Sequence, residues 1–303
     1  MLAQAVESYL AVRRTCGFKL EGTDWRLRSF ATFSDARGQS YVCSQTAIEW
    51  AGLARSIPER ACRLGGVIRF ARHMRAEDQH HEVPPAVFGS EKRRRAIPYI
   101  FSRQDIERLV QAAVHPAFRG LRRDTYSTFF ALLACTGLRV SEAIGLRYED
   151  ITPDGLVIRN SKFGKSRLVP LHETAQAQLE RYVERRRRYV PFDDHVFVSV
   201  KQKPLRASDV RCAFRTAARK IGLPCGASQR PRATPHSLRH TFAVRALETC
   251  PDSRDRITQH MLALSTYLGH SKIANTYWYL EATPDLMRGI AQCCESFFTG
   301  EQP

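Results

Sequence analysis

The sequence predicts a mainly α-helical protein with one small β-hairpin: a helical amino-terminal domain over 1–88, a linker over 89–98 and a larger α+β domain over 99–303. Three observations carry that reading. Apolar residues recur three or four positions apart through most of the chain, the period of helices that bury one face. The period breaks in "HHEVPPAVFGSEKRRRAIPYI", where Pro84, Pro85, Gly89 and Pro98 surround a basic run. And "GLVIRNSKFGKSRLVPL" sets two branched apolar runs about Gly164, the pattern of two paired strands.

Taken in order, "LAQAVESYLAVRR", "TDWRLRSFATFSD", "SQTAIEWAGLAR" and "PERACRLGGVIRFARHMRAED" each predict an amphipathic helix. Thr23, Ser44 and Pro58 stand where helix starts favour such residues. Helices resume at "SRQDIERLVQAA", and "YSTFFALLA" reads as a buried helix ended by the Thr136–Gly137 break. The hairpin follows, then further helices, with no internal repeat and no low-complexity stretch.

A chain of 303 residues with 43% hydrophobic and 25% charged residues has the material for two domains and a sizeable core. Its net charge of +17 suits a polyanion, either nucleic acid or an anionic membrane surface. No apolar run approaches the roughly 20 residues of a spanning helix. The start "MLAQAVESYLAVRR" lacks the basic, apolar and small-residue succession of a secretion signal. The nine cysteines form no C-x-x-C, only the adjacent pair Cys293 and Cys294, so neither a zinc spacing nor a disulfide framework is visible. The expected setting is the cytoplasm.

From "CTGLRVSEAIGL" onward the chain carries an ordered set of groups suited to one reaction. Arg139 follows a helix break, Lys162 lies in the hairpin, "HSLRH" supplies His236 and Arg239, "LGH" supplies His270, and Tyr279 follows. Attack on a phosphodiester builds charge on the non-bridging oxygens, which two guanidiniums hold with planar, bidentate hydrogen bonds. A tyrosine phenol forms a covalent phosphoryl intermediate, and a nearby lysine or histidine protonates the departing alkoxide. The scheme needs no metal and no cofactor.

These boxes resemble those of the tyrosine recombinases, the phage integrases, which include Cre and the Xer proteins. "TGLRVSEAIGL" is similar to the family's first box, "KFGKSRLVPL" to its lysine hairpin, "HSLRHTFA" to its second box, and "LGHSKIANTYWYL" to the stretch with the third-box histidine and the nucleophile. They fall in family order between 135 and 280, with Tyr279 nine residues after His270. The resemblance implies a helical core-binding domain followed by a catalytic domain. It implies strand cleavage through a 3′-phosphotyrosine, with double-stranded DNA as partner and a homotetramer, or related recombinase subunits, assembled on paired sites. Arg139, Arg239, His236 and His270 would stabilise the transition state, Lys162 would be the general acid, Tyr279 the nucleophile, and Glu142 would orient site groups. Arg139 is then the guanidinium projected from the helix break toward the scissile phosphate.

Several residues also have plainer readings. Lys162 and Lys165 flank one turn, and the family register favours Lys162; Lys165 and Arg167 are then expected DNA contacts. Tyr277 and Tyr279 point about 200° apart on a helix, so only one faces the phosphate, and the register selects Tyr279. His240 reads as an ordinary polar helix residue. Arg93, Arg94 and Arg95 are expected to touch phosphates from the linker, while Arg185–Arg188 suits a phosphate contact or a solvated face equally. "VRALETCPDSRDRITQHMLALSTY" is longer than the family's compact pattern and is expected to extend a turn and a helix away from the site. Leu286, Ile290, Cys293 or Cys294, and Phe297 form a stripe that packs in cis or on a neighbouring protomer. The rival classes are a type IB topoisomerase and a DNA-binding regulator that does not cleave. A metal-dependent transposase would need three placed carboxylates, and no such set is identifiable.

Overall fold

The computed structural model describes residues 2–18, 20, 22–89, 97–114, 121–159, 166–190, 193–199, 201–226, 229, 231–249, 254–270, 273–277 and 279. The chain divides into two compact units, Met1–Arg95 and Ala96–Pro303.

The first unit is built from α1 (Leu2–Thr15), α2 (Thr23–Asp35), α3 (Ser44–Gly52) and α4 (Ile57–Arg75). Each helix turns its apolar stripe inward. Val6, Leu10, Leu27, Phe30, Val67 and Phe70 are fully buried, with the Phe30 and Trp50 rings meeting edge to face at 5.4 Å. α4 starts as its sequence suggests: Pro58 lies in the first turn and the Ser56 hydroxyl accepts from Glu59 N. α2 and α3 differ. Thr23 and Ser44 open these helices, but the cap positions belong to Gly22 and Cys43, and neither provides a side-chain cap. The Ser44 amide instead donates to the Glu82 carboxylate at 2.7 Å, so a distant segment does the work of a local cap. Part of the proline-rich break therefore packs on this unit, with Val83 and Phe88 against its core.

The second unit contains α5 (Arg103–Ala113), α6 (Leu121–Thr136), α7 (Val140–Ile144), β1 (Ile151–Thr152), β2 (Gly155–Ile158), β3 (Arg167–Val169), α8 (Glu173–Tyr189), α9 (Ala207–Lys220), α10 (Pro235–Glu248), α11 (Arg254–Tyr267) and α12 (Ala274–Tyr277). α6 is the central helix; Phe129, Phe130 and Leu133 are fully buried, and α5, α8 and α10 pack around it. A capping box between Ser102 and Asp105 starts α5. The expected hairpin is present: β2 and β3 pair antiparallel, with Leu156 opposite Val169 and Ile158 opposite Arg167, and β1 adds a third strand. Leu156, Ile158 and Val169 form its buried face, the period-two pattern that the branched runs encode.

One expectation is corrected here, and one open reading is refined. The segment between the second box and "LGH" does not lead away from the site. α10 runs on to Glu248 and α11 packs back on it, so Val244, Leu247, Met261, Leu264 and Leu268 form one apolar cluster with Tyr279. The arginine run at the end of α8 divides: Arg185, Arg187 and Arg188 are exposed, and Arg186 is not. Arg186 is completely buried and donates to the carbonyls of Val190 and Asp193. Arg185 pairs with Asp124 at 3.1 Å, and Arg187 lies 4.5 Å over the Tyr148 ring. No helix among the described residues is long and apolar enough to cross a membrane.

Candidate active site

The site forms where the end of α6, the end of α11 and one face of α10 meet. Two turns prepare it. Gly137 ends α6 with φ +61°, and a Cβ there would lie 2.6 Å from Phe242 Cδ1; Gly269 follows α11 with φ +64°, and its Cβ would lie 2.9 Å from Arg167 Nη1. Both positions have the left-handed backbone that favours glycine, and at each a Cβ would crowd a packed side chain. What each turn delivers is a carbonyl. Gly137 O accepts from Arg239 Nη1 at 2.7 Å, and Gly269 O accepts from Arg139 Nη2 at 2.8 Å.

Arg139 is the N-cap residue of α7, with extended backbone, and Glu142 one turn on accepts its amide at 2.9 Å. The Arg139 Nη1 donates to Glu142 Oε1 at 2.6 Å. The same carboxylate receives Arg167 Nη1 at 3.1 Å and Nη2 at 2.8 Å, a two-pronged contact of the kind a planar guanidinium favours. Burial alone would raise the Glu142 pKa, but the donors of Arg167 and Arg139 prevail and bring it down to about 2. Glu142 is thus a fixed anion between two cations.

Arg239 is 1% exposed. Besides Gly137 O, it reaches Leu268 O at 2.5 Å and His270 Nε2 at 3.2 Å. Burial, with the Arg139 charge beside it, lowers its pKa to about 10, which still leaves it cationic at neutral pH. A guanidinium only donates, so His270 Nε2 accepts; its proton sits on Nδ1, which donates to Thr276 Oγ1 at 2.8 Å. The His270 ring lies parallel to that of Tyr279, 6.0 Å between centroids. Tyr279 is 3% exposed, whereas Tyr277 is 49% exposed. Tyr277 closes α12 and Tyr279 lies in a turn just beyond it, so the helical angle does not relate the two side chains.

His236 and Arg239 share one face of α10, as their spacing requires. His236 is exposed, yet surrounding protein removes enough water from its ring, with the charges of Arg239 and Arg139 nearby, to hold its pKa below the ordinary histidine value. His240, which reads from sequence as an ordinary polar residue, is in the site: its ring lies 4.6 Å from that of His236 and 5.4 Å from that of Tyr279. It stands one helical turn from His236, and that spacing is the signal that places it on the same face.

Arg167 is placed otherwise than expected. Its side chain is 9% exposed and its donors go to Glu142 and, from Nε at 2.7 Å, to Tyr267 O. It faces inward because its strand alternates and the Glu142 carboxylate lies on the buried side. Lys162, Lys165, Arg93, Arg94 and Arg95 lie outside the described residues. Motif spacing misses a further basic segment of the sequence: residues 201–232 hold nine Lys or Arg and one acid, Asp209. Arg211, Arg215 and Arg219 repeat every fourth residue along α9 and are exposed, opposite the buried Val210, Phe214, Ala217 and Ala218. A charge count by segment reveals it.

A model of the phage integrase family matches residues 99–285. Protein y4rB of Sinorhizobium fredii, which carries an integrase/recombinase assignment, is 38% identical over 296 residues, 94% of either chain. Tyrosine recombinase XerC of Nitrobacter winogradskyi is 28% identical over 280 residues, 90% of this chain and 71% of that one. Among solved structures, a lambda integrase (75–356) dimer bound to a COC′ core site matches with a TM-score of 0.63 at 16% identity, over 90% of this chain and 96% of that one. The Tn1549 transposon integrase in complex with transposon right-end DNA gives 0.63 at 17% identity, over 96% and 98%. At these identities the structural likeness speaks for the fold.

Proposed function

The chain belongs to the phage integrase family, the tyrosine recombinases, and from that premise we propose that it breaks and rejoins double-stranded DNA at specific sites through Tyr279. The observation that carries the reading is the convergence of Tyr279, His270 and Arg239: a phenol stacked on an imidazole that is itself held by a buried guanidinium. In the reaction, the Tyr279 oxygen attacks the scissile phosphorus and the bond to the 5′ oxygen breaks. Lys162 gives that oxygen its proton, leaving a 3′-phosphotyrosine and a free 5′-hydroxyl. Attack by a 5′-hydroxyl from another strand reverses the step and releases Tyr279. The ester bond is conserved throughout, so no nucleotide cofactor enters the balance.

Arg139 and Arg239 are held by backbone carbonyls and Glu142 before any substrate arrives, so they need little reorganisation when charge develops on the phosphate. His236, kept neutral at neutral pH by its lowered pKa, is able to accept the phenol proton. Tyr279 is nearly buried, so its phenol would have to become accessible to the DNA for the attack. Arg211, Arg215 and Arg219 extend the cationic surface beyond the scissile position and would meet the flanking backbone. The chain would act as a homotetramer on paired sites, or with related recombinase subunits, in the cytoplasm.

The test is covalent trapping on a suicide duplex in excess EDTA. Wild type and Tyr277→Phe should form protein–DNA adducts, and Tyr279→Phe should form none while binding DNA with nearly unchanged affinity. Adducts that persist with Tyr279→Phe, or that appear only after magnesium is added, would contradict the reading. In the same assay Lys162→Ala should cleave about a thousandfold more slowly on the normal phosphodiester, and a 5′-bridging phosphorothiolate, whose thiolate leaves without a proton, should restore the rate.

A further inference from the structure

We propose that Arg167 is a positioning residue that sets both transition-state arginines, rather than a DNA contact; the inference rests on the recombinase reading above. Arg167 joins three separate elements. It stands on β3, grips both Glu142 oxygens on α7 at 2.8 and 3.1 Å, and donates to Tyr267 O at the end of α11 at 2.7 Å. Through Glu142 it acts on Arg139, whose Nη1 and amide both bind that carboxylate.

The second route runs through the turn. Tyr267 O belongs to the segment whose next two carbonyls, Leu268 O and Gly269 O, receive Arg239 and Arg139. Gly269 also lies against the Arg167 guanidinium, which a Cβ there would crowd. A shift of Arg167 therefore displaces acceptors of both arginines together. Its donors go to Glu142 and Tyr267 O, while those of Arg139 and Arg239 go to Glu142, to carbonyls of the two turns and to His270 Nε2, so beyond the repulsion between like charges it acts on them through shared and neighbouring acceptors. Lysine at 167 would keep the charge but lose the fork that spans the carboxylate and the carbonyl at once.

The experiment compares two substrates in single-turnover cleavage at saturating DNA: a normal scissile phosphodiester and a methylphosphonate at that position. The methylphosphonate is neutral, so attack on it builds less negative charge and demands less of the arginines. Misplacing a guanidinium by about 1 Å is enough to cost on the order of 100-fold. Arg167→Lys should therefore slow phosphodiester cleavage by about 100-fold but methylphosphonate cleavage by less than about fivefold. The ratio of the two rates in one preparation cancels any loss of active protein. Equal slowing of both substrates would reduce Arg167 to a structural role and overturn the proposal, as would no slowing of either. Combining Arg167→Lys with Glu142→Gln should cost little more than the worse single change; multiplying losses would overturn the route through Glu142. A wild-type protein that cleaves neither substrate would instead sink the recombinase reading itself.

Discussion

Arginine serves two regions of the second unit in opposite ways. Around Glu142, Arg139, Arg167 and Arg239 are partly or wholly buried, and each donates to carbonyl or carboxylate acceptors within hydrogen-bonding distance. Along α9, Arg211, Arg215 and Arg219 are exposed and follow only the helical repeat. The first group bears a desolvation cost in the folded protein and is fixed before substrate arrives; the second keeps its water and its rotamer freedom. Fixed charge lowers a barrier, because it need not reorganise as the transition state forms. Mobile surface charge raises affinity by displacing counterions from DNA. Chemistry and binding should then respond to different substitutions.

The largest effect expected from breaking this division is in the interior. Arg239→Ala removes one guanidinium from the phosphate and leaves the Gly137 and Leu268 carbonyls without that donor, so cleavage at saturating DNA should fall by about 10²- to 10³-fold. Its salt dependence of binding should stay close to that of wild type. An affinity loss as large as the rate loss would mean that the buried arginine serves mainly to bind.

Next in size is the acid response of Glu142. Its pKa falls on folding from 4.5 to about 2, so its contribution is complete above about pH 5 and is lost as pH drops through the folded value. The shift corresponds to roughly 3 kcal/mol. Glu142→Gln should lower stability at neutral pH and flatten its fall between about pH 5 and pH 2. Denaturant melts at a series of pH values check this; parallel curves for the two proteins would place the anchor elsewhere.

The smallest effects belong to the surface. Replacing Arg211, Arg215 and Arg219 by glutamine should reduce the slope of log K against log salt by about 0.9 for each phosphate left unneutralised, with cleavage at saturating DNA unchanged. The same replacement of Arg93, Arg94 and Arg95 should lower the slope without altering preference among sequences. A changed preference in either variant would assign an arginine to base edges instead of phosphates.

How much of this is legible in the sequence depends on the range of the interaction. The four helices of the first unit and the hairpin follow from local periodicity. The two glycine turns are visible as breaks, but not their use: only the folded chain shows that Gly137 O and Gly269 O each hold an arginine contributed by the other part of the site. Arg167 looks like a DNA contact because a charged residue on a short strand reads as solvated until the Glu142 carboxylate is found beside it, 25 residues away in sequence. Arg186 is ambiguous for the same reason, since two of its acceptors are backbone carbonyls that no residue type announces, beside the Asp193 carboxylate at 3.3 Å. The α11 segment reads as leading outward when only its length is weighed, whereas Met261, Leu264 and Leu268 show where its apolar face has to go.

The central claim is that Tyr279 carries the DNA during the reaction, and peptide mapping of the trapped complex tests it most directly. Digesting the adduct with nuclease and protease and locating the modified residue by mass spectrometry should place a nucleotide, joined through its 3′-phosphate, on the peptide that contains Tyr279, with a free 5′-hydroxyl on the other DNA end. A nucleotide on Tyr277 or Tyr267, or one joined through a 5′-phosphate, would contradict the account.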